Sequence, residues 1–234
     1  MKSKAFVFSA IFLIGSLAFS AQEVKTLRLP AEGLTELEIN CGAGFLKVQG
    51  VEGLDAIEVK AEISARGVDE GEMKEFIRDH VILTLENKGI RAVLVSEIED
   101  HSFFSFHNAQ IDLTVNVPKK MGLNVDDGSG SIDIAGITGS VYIEDGSGNL
   151  SVENIQGNLE IDDGSGEIEI RGVTGDLVID DGSGSISVAD IGGSVTLDDG
   201  SGSIDIDGVE KDLTLKETGS GGLNFRNVKG RVVK

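Results

Sequence analysis

The stretch Asp126-Asp127-Gly128-Ser129-Gly130-Ser131-Ile132-Asp133-Ile134 decides the fold, because it returns with small changes at residues 144, 162, 180 and 198. The spacing between successive copies is eighteen residues. A second nine-residue unit alternates with it, first at residues 135–143 and then from residues 153, 171, 189 and 207. A fixed period of this length is typical of solenoids, in which each repeat is one coil stacked on the next.

Within each coil, apolar residues alternate with polar ones over short segments, as in strands that have one buried face. The first regular coil places five apolar side chains inward: Ile132, Ile134, Ile137, Val141 and Ile143. Such short strands cannot close a core alone, but stacked coils bury each row against its neighbours. The pattern predicts an all-β protein, a single-stranded parallel β-helix with 18-residue coils. Parallel crossover connections favour the right-handed form.

The chain before residue 126 is expected to form a β-rich part, residues 21–125, that continues into the regular repeats of residues 126–234. Asn40–Val48 has the same order of turn residues, glycines and strand as the opening stretch, so an outlying coil is predicted over residues 40–59. The second half of that segment, from residue 49, fits the second unit with two extra residues.

One segment of this N-terminal part changes from the period of a strand to that of a helix. Met73, Phe76 and Ile77 are spaced to share one helical face, and Asp69 is a favourable N-cap. A short helix is therefore predicted over about residues 69–79.

Residues 1–20 predict a signal peptide. Two lysines precede an apolar run from Ala5 to Phe19, and Ala18-Phe19-Ser20 resembles a cleavage site. A cleaved signal and a retained anchor both fit, but the run is short for a membrane span, and no later run approaches eighteen apolar residues. We expect an exported protein without a membrane span after cleavage, located in the periplasm, outside the cell or at its surface.

The charge of the chain limits its partners. The formal net charge is −20, and removal of residues 1–20, which carry two lysines and no acidic residue, changes it to about −22. This charge disfavours nucleic acids and anionic lipid head groups as partners and favours cations or basic surfaces. The single cysteine, Cys41, excludes an intramolecular disulfide. We expect it to be a small, buried apolar side chain rather than a reactive or intermolecular thiol.

Acidic residues recur at the same two positions of every coil, which places them in two columns. One predicted column is Asp127, Asp145, Asp163, Asp181, Asp199 and Glu217, and the next is Asp126, Glu144, Asp162, Asp180 and Asp198. Like charges about 4.8 Å apart repel by about 1 kcal/mol in water and about 3–4 kcal/mol at an effective dielectric constant of about 20.

Two interpretations account for the first column. Bound Ca²⁺ would offset the repulsion, with Asp127, Asp145, Asp163, Asp181 and Asp199 as the metal ligands. Alternatively, each carboxylate accepts hydrogen bonds from nearby turn amides, while water and counter-ions screen the remaining charge. The calcium-binding nonapeptide repeat does not fit, because its Asp would fall at Ile132, an inward apolar position. No cofactor is expected besides this possible Ca²⁺.

Two further columns are predicted on the outer faces: Asp133, Ser151, Glu169, Ser187 and Asp205 on one, and Tyr142, Glu160, Val178, Thr196 and Thr214 on the other. The second column carries less charge. It is either a flat binding surface or a solvated β face.

No motif of the sequence predicts catalysis. His101 and His107 lie six residues apart in a phenylalanine-rich segment that suits a loop or an exposed strand better than a metal site. The serines of the Gly-Ser-Gly turns have no neighbouring histidine that would activate a nucleophile. A carbohydrate-active enzyme is therefore the third hypothesis, after a structural or adhesive role and after a calcium-dependent binding module.

The run Asp112–Pro118, then Leu123-Asn124-Val125, followed by repeated Gly-Ser-Gly and Gly-Val/Ile-x-Gly turns, resembles the "putative adhesin" family of exported bacterial envelope domains of unknown function. The resemblance covers nearly the whole of the chain after the signal. It implies a single-stranded β-helix in an exported bacterial protein and supplies no catalytic motif. We therefore expect a non-enzymatic envelope protein that presents a rigid acidic surface to an envelope component, either protein or glycan.

Overall fold

A computed structural model describes residues 6–10, 20–66, 68–99 and 109–234. The elements of the first half are β1 (Phe6–Ala10), β2 (Ser20–Pro30), β3 (Glu36–Val51), β4 (Ala56–Arg66), α1 (Glu70–His80), β5 (Val81–Asn87), β6 (Arg91–Ile98), β7 (Gln110–Pro118) and β8 (Gly122–Ala135). Those of the second half are β9 (Val141–Asp145), β10 (Leu150–Ile155), β11 (Leu159–Asp163), β12 (Gly166–Val173), β13 (Leu177–Asp181), β14 (Gly184–Ile191), β15 (Val195–Asp199), β16 (Gly202–Val209), β17 (Leu213–Thr218), β18 (Leu223–Val228) and β19 (Val232–Val233).

The coils stack as parallel strands on two faces. Face A contains β6, the first halves of β3 and β8, then β9, β11, β13, β15, β17 and β19. Face B contains β7, the second halves of β3 and β8, then β10, β12, β14, β16 and β18. The predicted parallel β-helix with eighteen-residue coils is confirmed. β3 and β8 each bend at the corner between the faces, so the first half of each strand belongs to face A and the second half to face B.

The core is the row of apolar side chains between the two faces. Alternation along each strand sends every second residue inward, so Leu177 and Ile179 of β13 are buried while Val178 between them is exposed. All five inward residues predicted for the first regular coil are buried. Each coil therefore covers the apolar rows of the coil before it, as the sequence pattern requires.

Glycines of the Gly-x-Gly turns, at the corner that leads from face A to face B, allow successive coils to pack closely against each other. Gly166 has φ +153°, and a Cβ atom there would lie 1.5 Å from the carbonyl oxygen of Gly148 in the previous coil. Gly184 repeats this geometry one coil later, with φ +156° and 1.6 Å to the oxygen of Gly166. The Gly-x-Gly frame is therefore required both by backbone conformation and by space.

The N-terminal part extends both faces with antiparallel strands. On face B, β4 pairs antiparallel with β7 and with β2, and β2 pairs antiparallel with β1. On face A, β5 pairs antiparallel with β6. Most of the predicted signal segment, residues 1–5 and 11–19, lies outside the described residues, and its cleavage stays a prediction.

Only the first half of the predicted outlying coil is confirmed. Asn40–Val48 stacks in register on the opening stretch, with Asn40 opposite Asp126 and Val48 opposite Ile134. The second unit predicted over residues 49–59 is wrong, because Val59 lies in an antiparallel strand opposite Val115 of β7. The local apolar pattern is the same for parallel and antiparallel pairing, so it could not decide the direction.

The predicted helix is confirmed as α1. Asp69 accepts hydrogen bonds from the amides of Gly71 and Glu72, and the Glu72 side chain accepts one from the Asp69 amide, which completes a capping box. Met73, Phe76 and Ile77 are buried in the core of the N-terminal part. Among the described residues, no helix is long and apolar enough to cross a membrane.

Candidate functional site

The predicted metal-ligand column lies inside the coil. The five aspartates stand in register: Asp127 in the middle of β8, and Asp145, Asp163, Asp181 and Asp199 at the ends of β9, β11, β13 and β15. Each follows two inward apolar positions at a spacing of two residues, so its side chain points inward as well. The exposed fractions of these residues lie between 0% and 3%.

The prediction that Glu217 is the last member of this column is wrong. A β-bulge shifts the register between β15 and β17, and Thr218 takes the position opposite Asp199. The turn that begins at Glu217 carries one residue more than the earlier turns, and the extra residue is accommodated as the bulge. Glu217 is exposed.

One oxygen of each buried carboxylate has a regular partner. Oδ1 of Asp145 and of Asp163 accepts a hydrogen bond from the backbone amide two residues later at 3.2 Å. The same bond is 3.1 Å at Asp181 and 3.0 Å at Asp199. The interpretation in which turn amides satisfy the column is therefore confirmed for this oxygen. Within the described part of the chain, Oδ2 of all five aspartates is buried and has no hydrogen-bond partner.

Burial dominates the electrostatics of the column. It raises the pKa of Asp127, Asp145, Asp163 and Asp181 from an ordinary 3.8 to about 6, and it also raises the pKa of Asp199. A neighbouring carboxylate in the same column is the second cause at the three middle positions. The column therefore holds protons more strongly than carboxyls in water.

The polar column continues beyond the aspartates. In the N-terminal part, Cys41 lies opposite Asp127, and Ser96 lies opposite Cys41. Burial and then the charge of Asp127 raise the pKa of the Cys41 thiol, which hydrogen-bonds to the Asp127 carboxylate. The Cys41 thiol therefore stays protonated. Cys41 occupies the position that aspartate holds in the later coils. Its hydrogen bond to Asp127 gives it a polar role that the sequence-based expectation of a small apolar side chain did not include.

The carboxylates form a row and do not converge. Among the described residues, no three His, Cys, Asp or Glu side chains are placed to hold one metal ion. A Ca²⁺ ion prefers six to eight oxygen ligands. Coordination at this column would need oxygens from more than one coil together with turn carbonyls or water. The calcium site therefore stays a prediction.

The two predicted outer columns are confirmed by the strand registers. Asp133, Ser151, Glu169, Ser187 and Asp205 follow one another across face B. Tyr142, Glu160, Val178, Thr196 and Thr214 do the same across face A, and Asn124 precedes Tyr142 in that column.

A groove of about 390 Å³ opens on face A where the N-terminal part meets the first coils. Its polar lining includes Thr35, Asn124, Ser140, Tyr142, Asn158 and Glu160. Gly122 also lines the groove. Sequence reasoning found Tyr142 and Glu160 as members of a less charged column, but not their neighbours Thr35 and Asn158, which come from two turns far apart in the chain.

His80, the histidine within the described residues, makes structural contacts. Nδ1 of His80 lies 3.0 Å from the carbonyl oxygen of Glu99, and its ring stacks on Phe76 at 5.8 Å between ring centroids. These contacts indicate a structural side chain at the end of α1. His101 and His107 lie outside the described residues.

The chain is similar to one protein family and to several solved structures. The sequence profile described as Toastrack DUF4097 matches residues 2–173. A "putative adhesin" of Bacteroides fragilis is 14% identical with a TM-score of 0.41, over 89% of this chain and 95% of that chain. A "putative lipid binding protein" of Parabacteroides distasonis is 17% identical with a TM-score of 0.37, over 91% and 97%. A "putative cell adhesion protein" of Clostridium sporogenes is 14% identical with a TM-score of 0.33, over 92% and 98%. No curated protein matches the chain. These names describe those proteins, and neither identity nor TM-score is high enough to transfer a function.

Proposed function

This chain belongs to the Toastrack DUF4097 family, and we propose that it is an exported, non-enzymatic protein of the bacterial envelope whose rigid acidic faces make structural or adhesive contacts. The observation that carries the proposal is the pair of faces on which side chains repeat in register from coil to coil. A surface of this kind presents the same chemistry many times at a fixed spacing of about 4.8 Å.

The faces are suited to contact because their backbone is held on both sides. Each strand from β8 to β17 pairs in parallel with the coil before and the coil after it, so the outward columns cannot move independently. A preorganised surface loses little conformational entropy on binding. Rigid presentation therefore favours recognition of an extended or repetitive partner.

The charge of the faces limits the partner to an envelope component, protein or glycan, that tolerates or prefers carboxylates. Between residues 126 and 210 Arg171 is the only Lys or Arg. Nucleic acids and anionic lipid head groups would be repelled by such a surface.

The test is retention on envelope material. The mature chain, immobilised in its folded form, is expected to retain a component of an envelope extract. A variant with Asp162→Asn, Asp180→Asn and Asp198→Asn, which neutralises outward acids and keeps their size, is expected to retain less. The control is Ser151→Ala with Ser187→Ala on face B, which changes no charge. Failure of the unmodified chain to retain anything from the extract would overturn the proposal.

The second candidate is a calcium-dependent binding module, and the five unpartnered Oδ2 atoms of the buried column favour it. A cation bound to the folded chain alone raises its stability according to its concentration and affinity. The test compares thermal unfolding in chelator and in millimolar Ca²⁺. A higher midpoint in Ca²⁺ that Mg²⁺ does not reproduce supports this candidate, and identical midpoints in chelator and Ca²⁺ contradict it.

A further inference from the structure

We infer that the groove at Tyr142 is a binding site for a short neutral saccharide, an inference that rests on the proposed envelope role and names its ligand class. The groove lies at the N-terminal ends of β3, β8, β9 and β11, on face A. Its volume of about 390 Å³ lies at the lower end of the range of small-ligand sites, about 300–1,000 Å³.

The coils themselves provide the comparison that makes Tyr142 unusual. The positions equivalent to it in later coils are Glu160, Val178, Thr196 and Thr214, on the same strand face and in the same register. The fold therefore accepts a small side chain at this position. Tyr142 is also the only tyrosine of the chain, which has no tryptophan. Packing does not explain why the one tyrosine lies at this groove.

The polar groups beside the ring are available to a ligand. Oδ1 of Asn158 accepts a hydrogen bond from the Asp176 amide at 3.0 Å, which leaves the Asn158 Nδ2 group as a donor with a fixed orientation. Among the described residues, no protein hydrogen bond uses this Nδ2 group, the Asn124 amide or the Ser140 hydroxyl. Together with the Glu160 carboxylate they present donors and acceptors around one aromatic side chain, as the alternating hydroxyls of a sugar require.

In the later coils, the position of Ser140 and Asn158 is occupied by Asp176 and Asp212, which make further contacts. Oδ1 of Asp176 accepts a hydrogen bond from the Ser194 amide at 2.8 Å, and its carboxylate lies 3.9 Å from Nζ of Lys211. Asp212 accepts from the amide and the guanidinium of Arg231. Asn158 and Asp176 both accept a hydrogen bond from the amide of the next coil. The difference is that Asp176 and Asp212 also contact cations, whereas Ser140 and Asn158 border an open groove.

The charges of the groove select a neutral ligand. Among the described residues that line it, none is Lys, Arg or His, while Glu36 and Glu160 are acidic. Partial burial, then the charges of Glu144, Asp162 and Glu160, raise the pKa of Tyr142, so the phenol is neutral at physiological pH. A phosphate, a sulfated glycan or a uronic acid would meet uncompensated carboxylates. A neutral pyranose can stack its apolar face on the ring and direct its hydroxyls to the amides.

The experiment uses Tyr142 as its own reporter. Because the chain has one tyrosine and no tryptophan, its intrinsic fluorescence reports this groove alone. The mature chain is titrated with cellobiose, maltose and N,N′-diacetylchitobiose as neutral probes, and with sialyllactose and digalacturonate as anionic ones. We expect a saturable change with at least one neutral disaccharide and none with the anionic probes.

Two variants locate the binding. Tyr142→Thr introduces the residue that the fold already accepts at positions 196 and 214, and is expected to weaken binding at least tenfold in saturation-transfer NMR on the saccharide signals. The matched control combines Tyr142→Thr with Thr196→Tyr, which restores one tyrosine to the same column away from the groove. It is expected to fold normally and to show no saccharide response.

The outcomes separate this inference from the proposed function. The inference is overturned if no neutral probe perturbs Tyr142, if the control variant binds as well as the unmodified chain, or if only an envelope polypeptide perturbs the ring. Retention of the Tyr142→Thr variant on envelope extract at the unmodified level, without any saccharide response, would leave the proposed envelope role intact and place its contact elsewhere. Absence of retention for the unmodified chain contradicts the proposed function whatever the titration shows.

Discussion

The buried aspartates at the coil corner are the residues with the most unusual environment. Each has one carboxylate oxygen bound to a turn amide and one oxygen without a partner in the described part of the chain. An unpaired buried charge is costly, and protonation of the carboxylate removes that charge. The raised pKa values of the column follow from this cost.

We predict that the protein becomes more stable as the pH falls from 8 to about 4.5. The folded-state pKa of Asp127, Asp145, Asp163 and Asp181 is about 6, above the ordinary 3.8. Protonation thus favours the folded state, so this contribution is complete below the unfolded pKa and is lost as the pH rises through about 6. Thermal unfolding at a series of pH values checks this, and a Tm that is constant or rises between pH 4.5 and pH 8 would contradict it.

Asp163→Asn is predicted to stabilise the protein at pH 8 by about 1 kcal/mol, or about 2–4 °C in Tm. The amide oxygen can still accept from the Ser165 amide, and the NH₂ group replaces the unpartnered oxygen with a neutral donor. The exposed neighbour Asp162→Asn is the control and should change stability by less than about 0.5 kcal/mol. If Asp163→Asn instead lowers the Tm, and does so only in Ca²⁺, the carboxylate is a metal ligand.

Gly166→Ala is predicted to destabilise the protein by about 3 kcal/mol or more, because a Cβ atom would lie 1.5 Å from the Gly148 carbonyl oxygen at a backbone conformation that only glycine adopts readily. Gly53→Ala is the matched control, since Gly53 also has positive φ (+73°) but no atom within 4 Å of its Cβ position. That change should cost about 1–2 kcal/mol. Urea denaturation measures both, and equal losses would mean that the approach of the coils is not the constraint.

The regular strands and helix α1 differ in the interactions that stabilise them. The regular strands are short and depend on their neighbours, because a segment such as Leu177–Asp181 has few inward side chains of its own. Helix α1 has local signals at its start, a complete capping box and two acidic residues in its first turn. Its residues Met73, Phe76 and Ile77 are buried in the hydrophobic core, which is continuous with the inward rows of the coils.

Asp69→Ala is predicted to reduce stability by about 0.5–2 kcal/mol, because the amides of Gly71 and Glu72 lose their acceptor. Glu75→Ala, at an exposed position of the same helix, should change stability by less than about 0.5 kcal/mol. Urea unfolding followed by circular dichroism checks both. A null effect of Asp69→Ala would show that tertiary packing alone holds the start of the helix.

The whole molecule is a one-dimensional stack whose coils are covered unequally. In the middle of the stack, β12 to β15 each lie between two coils and their inward residues are buried. In the last coil Phe225 is 37% exposed, and β19 pairs only through Val232 and Val233. Stability in such a stack is a sum of coil and interface terms, so opening is easiest where an interface is missing.

Amide hydrogen exchange should reflect this gradient. We predict strong protection in β12 to β15 and exchange in β18 and β19 that is faster by at least a factor of about 100, which corresponds to a difference of about 3 kcal/mol in opening free energy. The measurement is native-state exchange with mass spectrometry at pH 7. Uniform protection along the stack would mean that the chain opens as a single unit or that another molecule covers the last coil.

The eighteen-residue period and the alternation within it determined the β-helix, its inward rows and its outer columns, because these depend on spacing along the chain. The same alternation, followed two residues further along β13, would also have placed Asp181 inward beside Leu177 and Ile179. Only the tertiary structure decided that β4 runs antiparallel to β7, that a bulge removes Glu217 from its column, and that Thr35 reaches the groove of Tyr142. Direction and register between distant strands are set by how whole segments pack, and identical local patterns leave them open.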